Sequence, residues 1–358
     1  MNSQYGINRY YTSLSKMHKN FEKCARKDGF DAKNPEEYWV WRDKSRVLLR
    51  NLLGLNMFEK CDMRAIVEER VVLDDGIVRE KVIIETEKDV WMPTYILIPE
   101  KCANNPDASV FIVPCGHLGG GKHGVVGDDR NPLVKKQIEV YHHDCGLQLA
   151  KRGYVAVCPD ARGFGERRDI CIQDDDNFIQ SSCAQLAHMA EPLGLTVTGM
   201  NTWDLMRLVD YLKERNEWDI SDLGCLGFSG GGLQSLYFAA LDDRIHKVII
   251  SGYMYGFKDS LLEMNNNCSC NYVPHLWEHF DCGDLGALLV PKKVVIQSGK
   301  SDKLNGSRGI TNAVEQVDIM RYAYDLMDME DNLIHDIVEG PHMWYEDRLD
   351  TYLDFFND

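Results

Sequence analysis

The sequence predicts an α/β protein with a mainly parallel central sheet and helices on both faces. Three observations carry this. Short apolar runs recur along the chain, at Val110 to Cys115, Tyr154 to Pro159, Leu223 to Phe228, Val248 to Gly252 and from Lys293 onward. Several of these runs are near-continuous, the pattern of a strand covered on both faces. Helix-like stretches lie between them and are long enough to return the chain to the start of a parallel neighbour.

The elements follow in order. Residues 1 to about 60 read as a helical N-terminal extension packed on the core, with apolar residues at helical spacing from Tyr38 to Leu53 and a glycine stop at Gly54. Asp74-Asp75-Gly76 is a hairpin signal joining Ala65 to Leu73 with Ile77 to Glu87, and Trp91 to Pro99 supplies a further strand. Helices are expected near Ile138 to Arg152 and from Thr202 to Asn216. The remainder, 61–358, reads as one α/β domain. Between Gly252 and Lys293 the chain makes a longer excursion, about 257–290. Set between late strands of such a sheet, it is expected to overhang the catalytic face as a pocket wall or lid.

Composition limits the function. The 358 residues can bury a sizeable core, and their balance of 44% hydrophobic and 27% charged residues is that of a globular protein. The formal charge of −16, without a basic cluster, opposes nucleic-acid or anionic-membrane binding. No apolar run is long enough to span a bilayer, and Met1-Asn-Ser-Gln-Tyr-Gly6 does not open like a signal peptide. The twelve cysteines fall mostly inside apolar segments, among them Cys115, Cys145, Cys158 and Cys225. Together these features predict a soluble protein of a reducing cytoplasm and say little about its substrate; the small molecule expected as partner comes from the chemistry of the motifs, with homo-oligomerisation left open.

The chemistry is carried by Gly227-Phe228-Ser229-Gly230-Gly231, which joins a strand-like run to the helix-like run Gly232 to Leu241. A serine at the tip of a sharp strand-to-helix turn needs small residues two before and two after it, because strand and helix pass close together there. The helix N-terminus then faces the hydroxyl, and the Gly230 amide is free for a developing oxyanion. Downstream, Ser298-Gly-Lys-Ser-Asp302 and Glu339-Gly-Pro-His342 end two further strands. A serine hydroxyl needs an imidazole to take its proton, and the imidazole needs a carboxylate to fix its tautomer. The order Ser229, Asp302, His342 supplies all three, with Asp318, Asp325 and Glu339 as nearby acids.

Other patterns compete. Gly116-His117-Leu-Gly-Gly-Gly121-Lys122-His123 falls one residue short of a phosphate-binding loop, having His123 where the magnesium-binding hydroxyl would stand. It fits better as the loop supplying a second oxyanion amide, from His117. His275-Leu-Trp-Glu278-His279 matches an inverted zinc-peptidase pattern but lacks a third ligand, so neither metal nor cofactor is expected. Asp174-Asp175-Asp176 reads as a solvated loop. Phe228, Arg162, Tyr272 and Trp277 are candidates for the substrate pocket.

Taken together, Gly116-His117 with Gly119-Gly-Gly-Lys122, Pro159-Asp160-Ala-Arg162-Gly-Phe-Gly-Glu166, the Ser229 pentapeptide, Ser298 to Asp302 and Glu339 to His342 resemble the acetyl-xylan-esterase-like branch of the α/β-hydrolases, near the dienelactone hydrolases. The similarity covers about 35–350. It implies an α/β-hydrolase fold and a cofactor-free serine hydrolase with Ser229, Asp302 and His342 as its triad. The chain departs from the xylan and cephalosporin deacetylases at Phe164, Gly230 and Met343, where those carry Gln, Gln and Glu. The function expected is cleavage of a carboxylic ester with a short acyl group. The alternatives are a peptidase or amidase on the same scaffold and, more remotely, a P-loop nucleotide-binding protein, a zinc peptidase or an inactive binding module.

Overall fold

A computed structural model describes residues 6 and 9–357; residues 1–5, 7, 8 and 358 lie outside it, and with them the start of the expected extension and of the opening hexapeptide. Helices α1 (Leu14–Cys24) and α2 (Pro35–Leu52) come first, followed by the strands β1 (Ala65–Val72), β2 (Val78–Glu87) and β3 (Val90–Ile98). The alternating part runs β4 (Val110–Ile112), α3 (Lys122–Val125), α4 (Pro132–Tyr141), α5 (Cys145–Lys151), β5 (Val155–Pro159), α6 (Cys183–Ala190), α7 (Val197–Arg215), β6 (Leu223–Phe228), α8 (Gly230–Leu241) and β7 (Ile245–Ser251). It closes with α9 (Leu276–His279), α10 (Cys282–Ala287), β8 (Lys293–Gly299), α11 (Ile310–Leu326), β9 (Leu333–Val338) and α12 (Leu349–Asn357).

The strands form one sheet in the order β1-β2-β3-β5-β4-β6-β7-β8-β9. β1, β2, β3 and β5 pair antiparallel in turn, and from β5 to β9 every pairing is parallel. The parallel centre is what the unbroken apolar runs require: every residue of β4, β5 and β6 is buried. A parallel sheet brings all its carboxyl ends to one edge. At β4 the strand order reverses, so the loops after β4 and β6 leave the sheet side by side, where open α/β sheets form their binding crevice.

Three expected boundaries move, each for a local reason. The helix near Ile138 to Arg152 is two helices, because His142 takes a left-handed φ of +54° and ends α4, and the chain turns through Asp144 into α5. Helix α7 begins at Val197, five residues ahead of Thr202, because the Thr196 side chain accepts the Gly199 amide and the added turn is buried. β4 stops at Ile112, after which Val113 makes one further bond to Val157 and the chain turns away at Pro114.

The N-terminal helices do not stand apart. Asn34 caps α2 by accepting the Glu37 amide, Tyr38 donates to the Ala287 carbonyl at 2.9 Å, and Arg42 reaches Asp243 at 2.9 Å. Beyond α1, Arg26 grips the buried Asp284 carboxylate with two bonds of 2.8 and 2.7 Å, and Lys27 donates its amide to Glu278. The excursion after β7 is thus fastened on its outer side by the start of the chain. Among the described residues, no helix is long and apolar enough to cross a membrane.

Candidate active site

β6 runs directly into α8 through Ser229, whose backbone sits at φ +56°, ψ −118°. Such a turn leaves no room for side chains beside it. A Cβ on Gly227 would lie 2.1 Å from the Gly231 carbonyl oxygen, and one on Gly231 would lie 2.4 Å from that of Pro114. The flanking glycines are therefore demanded by backbone contact, and the strained serine is lifted out of the sheet edge toward neighbouring loops.

Three loops converge on it. Ser229 Oγ lies 2.9 Å from His342 Nε2, and His342 Nδ1 lies 2.6 Å from Asp302 Oδ2. The other Asp302 oxygen accepts the Leu304 amide at 2.8 Å, and the side chain is 2% exposed, so the carboxylate is fixed in aim. An ionised carboxylate can only accept, which assigns the Nδ1 proton to the Asp302 contact and leaves Nε2 to accept from the serine. Two of the rival acids are engaged elsewhere: Glu339 with Lys300 and Asp318 with Arg321 at the surface. Backbone and aromatic anchors hold the His342 loop: Ser301 donates its amide to Gly340, Tyr345 its hydroxyl to Pro341, and Trp344 its amide to Tyr141.

The loop after β4 lies against the start of α8. His117 and Gly230 are in close contact, the His117 amide nitrogen 3.4 Å from where a Gly230 Cβ would stand. Neither amide donates to a partner among the described residues, so both are available to an oxygen at Ser229. A narrow crevice beside them, with room for about one water-sized sphere, is lined by Pro114, Gly116, Gly119, His143, Cys145 and Phe228.

Two features of this region leave no signal in the sequence. Lys122 does not face a phosphate; it is fully buried, bonds Asp160 at 2.8 Å and also contacts Glu166, and its amide donates to the other Asp160 oxygen. Burial pulls its pKa down, but Asp160 and Glu166 outweigh this and hold it above the ordinary value. Gly121 and Gly165 leave space for that carboxylate, since a Cβ on either would lie within 2.3 Å of it. His143 turns inward at the break between α4 and α5, its Nε2 buried without a partner, and burial lowers its pKa to about 4.

The pocket candidates separate. Phe228 packs on His342, with ring centroids 4.7 Å apart. Arg162 is not free to meet a substrate: it holds Asp204 with two bonds of 2.8 Å and pairs with Glu87, while Arg167 shares Asp204. Tyr272 and Trp277 line a groove against Phe21 of α1 rather than the crevice at His117, and Trp277 packs against Phe21, Phe257 and Tyr272. The side chains of the inverted zinc pattern are engaged elsewhere. α9 is a single turn, His275 precedes it and meets Glu278, and His279 meets Asp28.

The model of the Abhydrolase family matches residues 1–342, a span that takes in every element named above up to His342. The chain belongs to the Abhydrolase family. Like the motifs, this membership sets it among the α/β-hydrolases. The Bacillus subtilis (strain 168) protein YtaP, named as a hydrolase, is 27% identical over 247 residues, 68% of this chain and 75% of that one. A Bacteroides fragilis structure named as an acetyl xylan esterase superposes with a TM-score of 0.74 at 17% identity, covering 94% of this chain and 84% of that one. A glucuronoyl esterase from Solibacter usitatus reaches 0.63 at 14% identity over 99% of both chains. At these identities the likeness to the two structures is one of fold.

Proposed function

We propose that this member of the Abhydrolase family is a serine hydrolase of carboxylic esters with short acyl groups, working through an acyl-enzyme. The observation that carries the reading is the unbroken relay from Asp302 through His342 to Ser229, at 2.6 and 2.9 Å. His342 Nε2 takes the hydroxyl proton as Ser229 Oγ attacks the ester carbonyl, and Asp302 stabilises the imidazolium that forms. The amides of Gly230 and His117 receive the oxyanion. His342 then gives its proton to the departing alcohol, and afterwards activates a water that releases the acid.

The short acyl preference is supported by the narrowness of the crevice that Gly116, His117, His143 and Phe228 line beside the oxyanion amides. The esterase names of the similar folds agree with an ester as substrate. A panel of p-nitrophenyl esters and aminoacyl anilides tests the reading. The acetate is expected to be cleaved faster than the octanoate, the anilides to be nearly inert, and a fluorophosphonate to label Ser229. Ser229→Ala should lose both label and turnover. Labelling at another serine, or dominant anilide cleavage, would sink the proposal.

A further inference from the structure

Three segments remote in sequence bring soft ligands together behind the oxyanion loop. His117 comes from the loop after β4, Cys183 from the start of α6, and Cys268 and Cys270 from the excursion after β7. The ligand atoms of His117, Cys268 and Cys270 all lie within 4.8 Å of one another. Cys270 Sγ is 3.3 Å from His117 Nε2, and α6, which opens with the buried Cys183, packs against the Ser269–Asn271 turn that carries Cys270. We propose that His117, Cys268 and Cys270, with Cys183 swinging in from α6 as the fourth ligand, hold a tetrahedral zinc ion that pins the excursion to the oxyanion loop.

The dimensions favour a metal over a group of inert buried thiols. Zinc bonds of about 2.3 Å to sulfur and about 2.0 Å to nitrogen set the tetrahedral S···N edge near 3.5 Å and the S···S edge near 3.8 Å. The observed 3.3 Å edge has to open slightly, the sulfurs of Cys268 and Cys270, which lie within the 4.8 Å limit, have to close by at most about 1 Å, and Cys183 has to turn toward them. One imidazole and three thiols are a structural zinc set, and thiolate excludes the hard cations. Donors already surround the sulfurs: Asn271 Nδ2 points at Cys270 Sγ from 3.7 Å, and Ser181 Oγ lies 4.0 Å from Cys268 Sγ. Cys183 and Cys270 are buried and Cys268 is partly exposed, so the site is nearly closed. A disulfide would use two of the sulfurs and leave the imidazole and the third without a role. All twelve cysteines are free.

Binding releases the thiol protons to solvent and needs no redox partner. The ion would hold His117 by its ring, and so steady the amide that faces Gly230. It has no part in attacking the substrate.

The test is metal content, which is independent of whether the protein cleaves esters. The full-length protein, reduced, stripped with a chelator and dialysed against Zn²⁺, is expected to keep about one zinc per chain after gel filtration, the stoichiometry of a closed four-ligand site. Loading with Co²⁺ should give the intense visible bands of a tetrahedral thiolate site. Cys268→Ser and Cys183→Ser should each lose most of the metal, while Cys171→Ser, which changes an exposed thiol outside the cluster, should keep it. Wild-type protein that holds no zinc, either cluster variant that holds as much as wild type, or a disulfide among these cysteines in metal-free protein would overturn the site. The wild-type measurement decides even if a serine variant fails to fold.

Discussion

Ser229 occupies backbone that L-residues reach at a cost of about 1–3 kcal/mol, and the surrounding contacts hold it there. Asp302 shows the same determination by neighbours: one oxygen is engaged by Leu304, so the other meets His342 at a fixed angle. Replacing that carboxylate by an amide keeps the shape and lets the imidazole adopt the wrong tautomer. Asp302→Asn is therefore expected to retain the wild-type unfolding midpoint and lose about 10⁴-fold in kcat on p-nitrophenyl acetate. Near-normal turnover would mean that another acid orients His342.

At the scale of elements, the oxyanion loop is held from beneath by a buried ion pair. Lys122 and Asp160 are both fully buried, joining the start of α3 to the end of β5. Removing one partner strands the other as an unpaired interior charge. Lys122→Met should cost about 3–5 kcal/mol in urea unfolding, and the double change Lys122→Met with Asp160→Asn should cost less than the sum of the two single changes. Strictly additive losses would show that the two side chains do not stabilise each other. The groove between α1 and the excursion is the corresponding lesson about position. Tyr272 and Trp277 are aromatic and lie in the excursion, as expected, but they face α1 and not the crevice beside His117.

Across the whole molecule, the buried His143 and the half-buried His335 set the response to acid. His143 and His335 are each lowered to about 4, chiefly by burial, whereas an unfolded histidine titrates near about 6.5. Between those values the unfolded chain binds the extra proton, so their contribution is complete above about pH 6.5 and is lost as pH falls toward 4. Asp281, pushed up to about 6 by burial, works in the opposite sense and offsets part of the loss. For His143 alone the loss at pH 5 is about 2 kcal/mol. Denaturant unfolding at pH 7 and pH 5 should therefore show a smaller drop for His143→Asn than for wild type. Equal drops in the two proteins would rule out a neutral, buried His143.

How much could be read in advance depends on the range of the physics involved. Strand runs, the hairpin at Asp74-Asp75-Gly76, the glycine stop at Gly54 and the elbow around Ser229 are local: side-chain periodicity and backbone sterics over a few residues determine them. The order of Ser229, Asp302 and His342 after β6, β8 and β9 was legible for the same reason, since a parallel sheet must gather those ends on one edge. The break at His142 was missed because one left-handed residue leaves no periodic trace. Where Arg162, Tyr272 and Trp277 turn, what Lys122 pairs with and the gathering of His117, Cys268 and Cys270 were not legible, because their partners lie tens to hundreds of residues away. The sequence by itself determined the elements, their class and the residues able to do the chemistry. Only the tertiary structure decided which of the charged, aromatic and sulfur side chains face one another, because burial and pairing depend on neighbours that chain closure alone brings into contact.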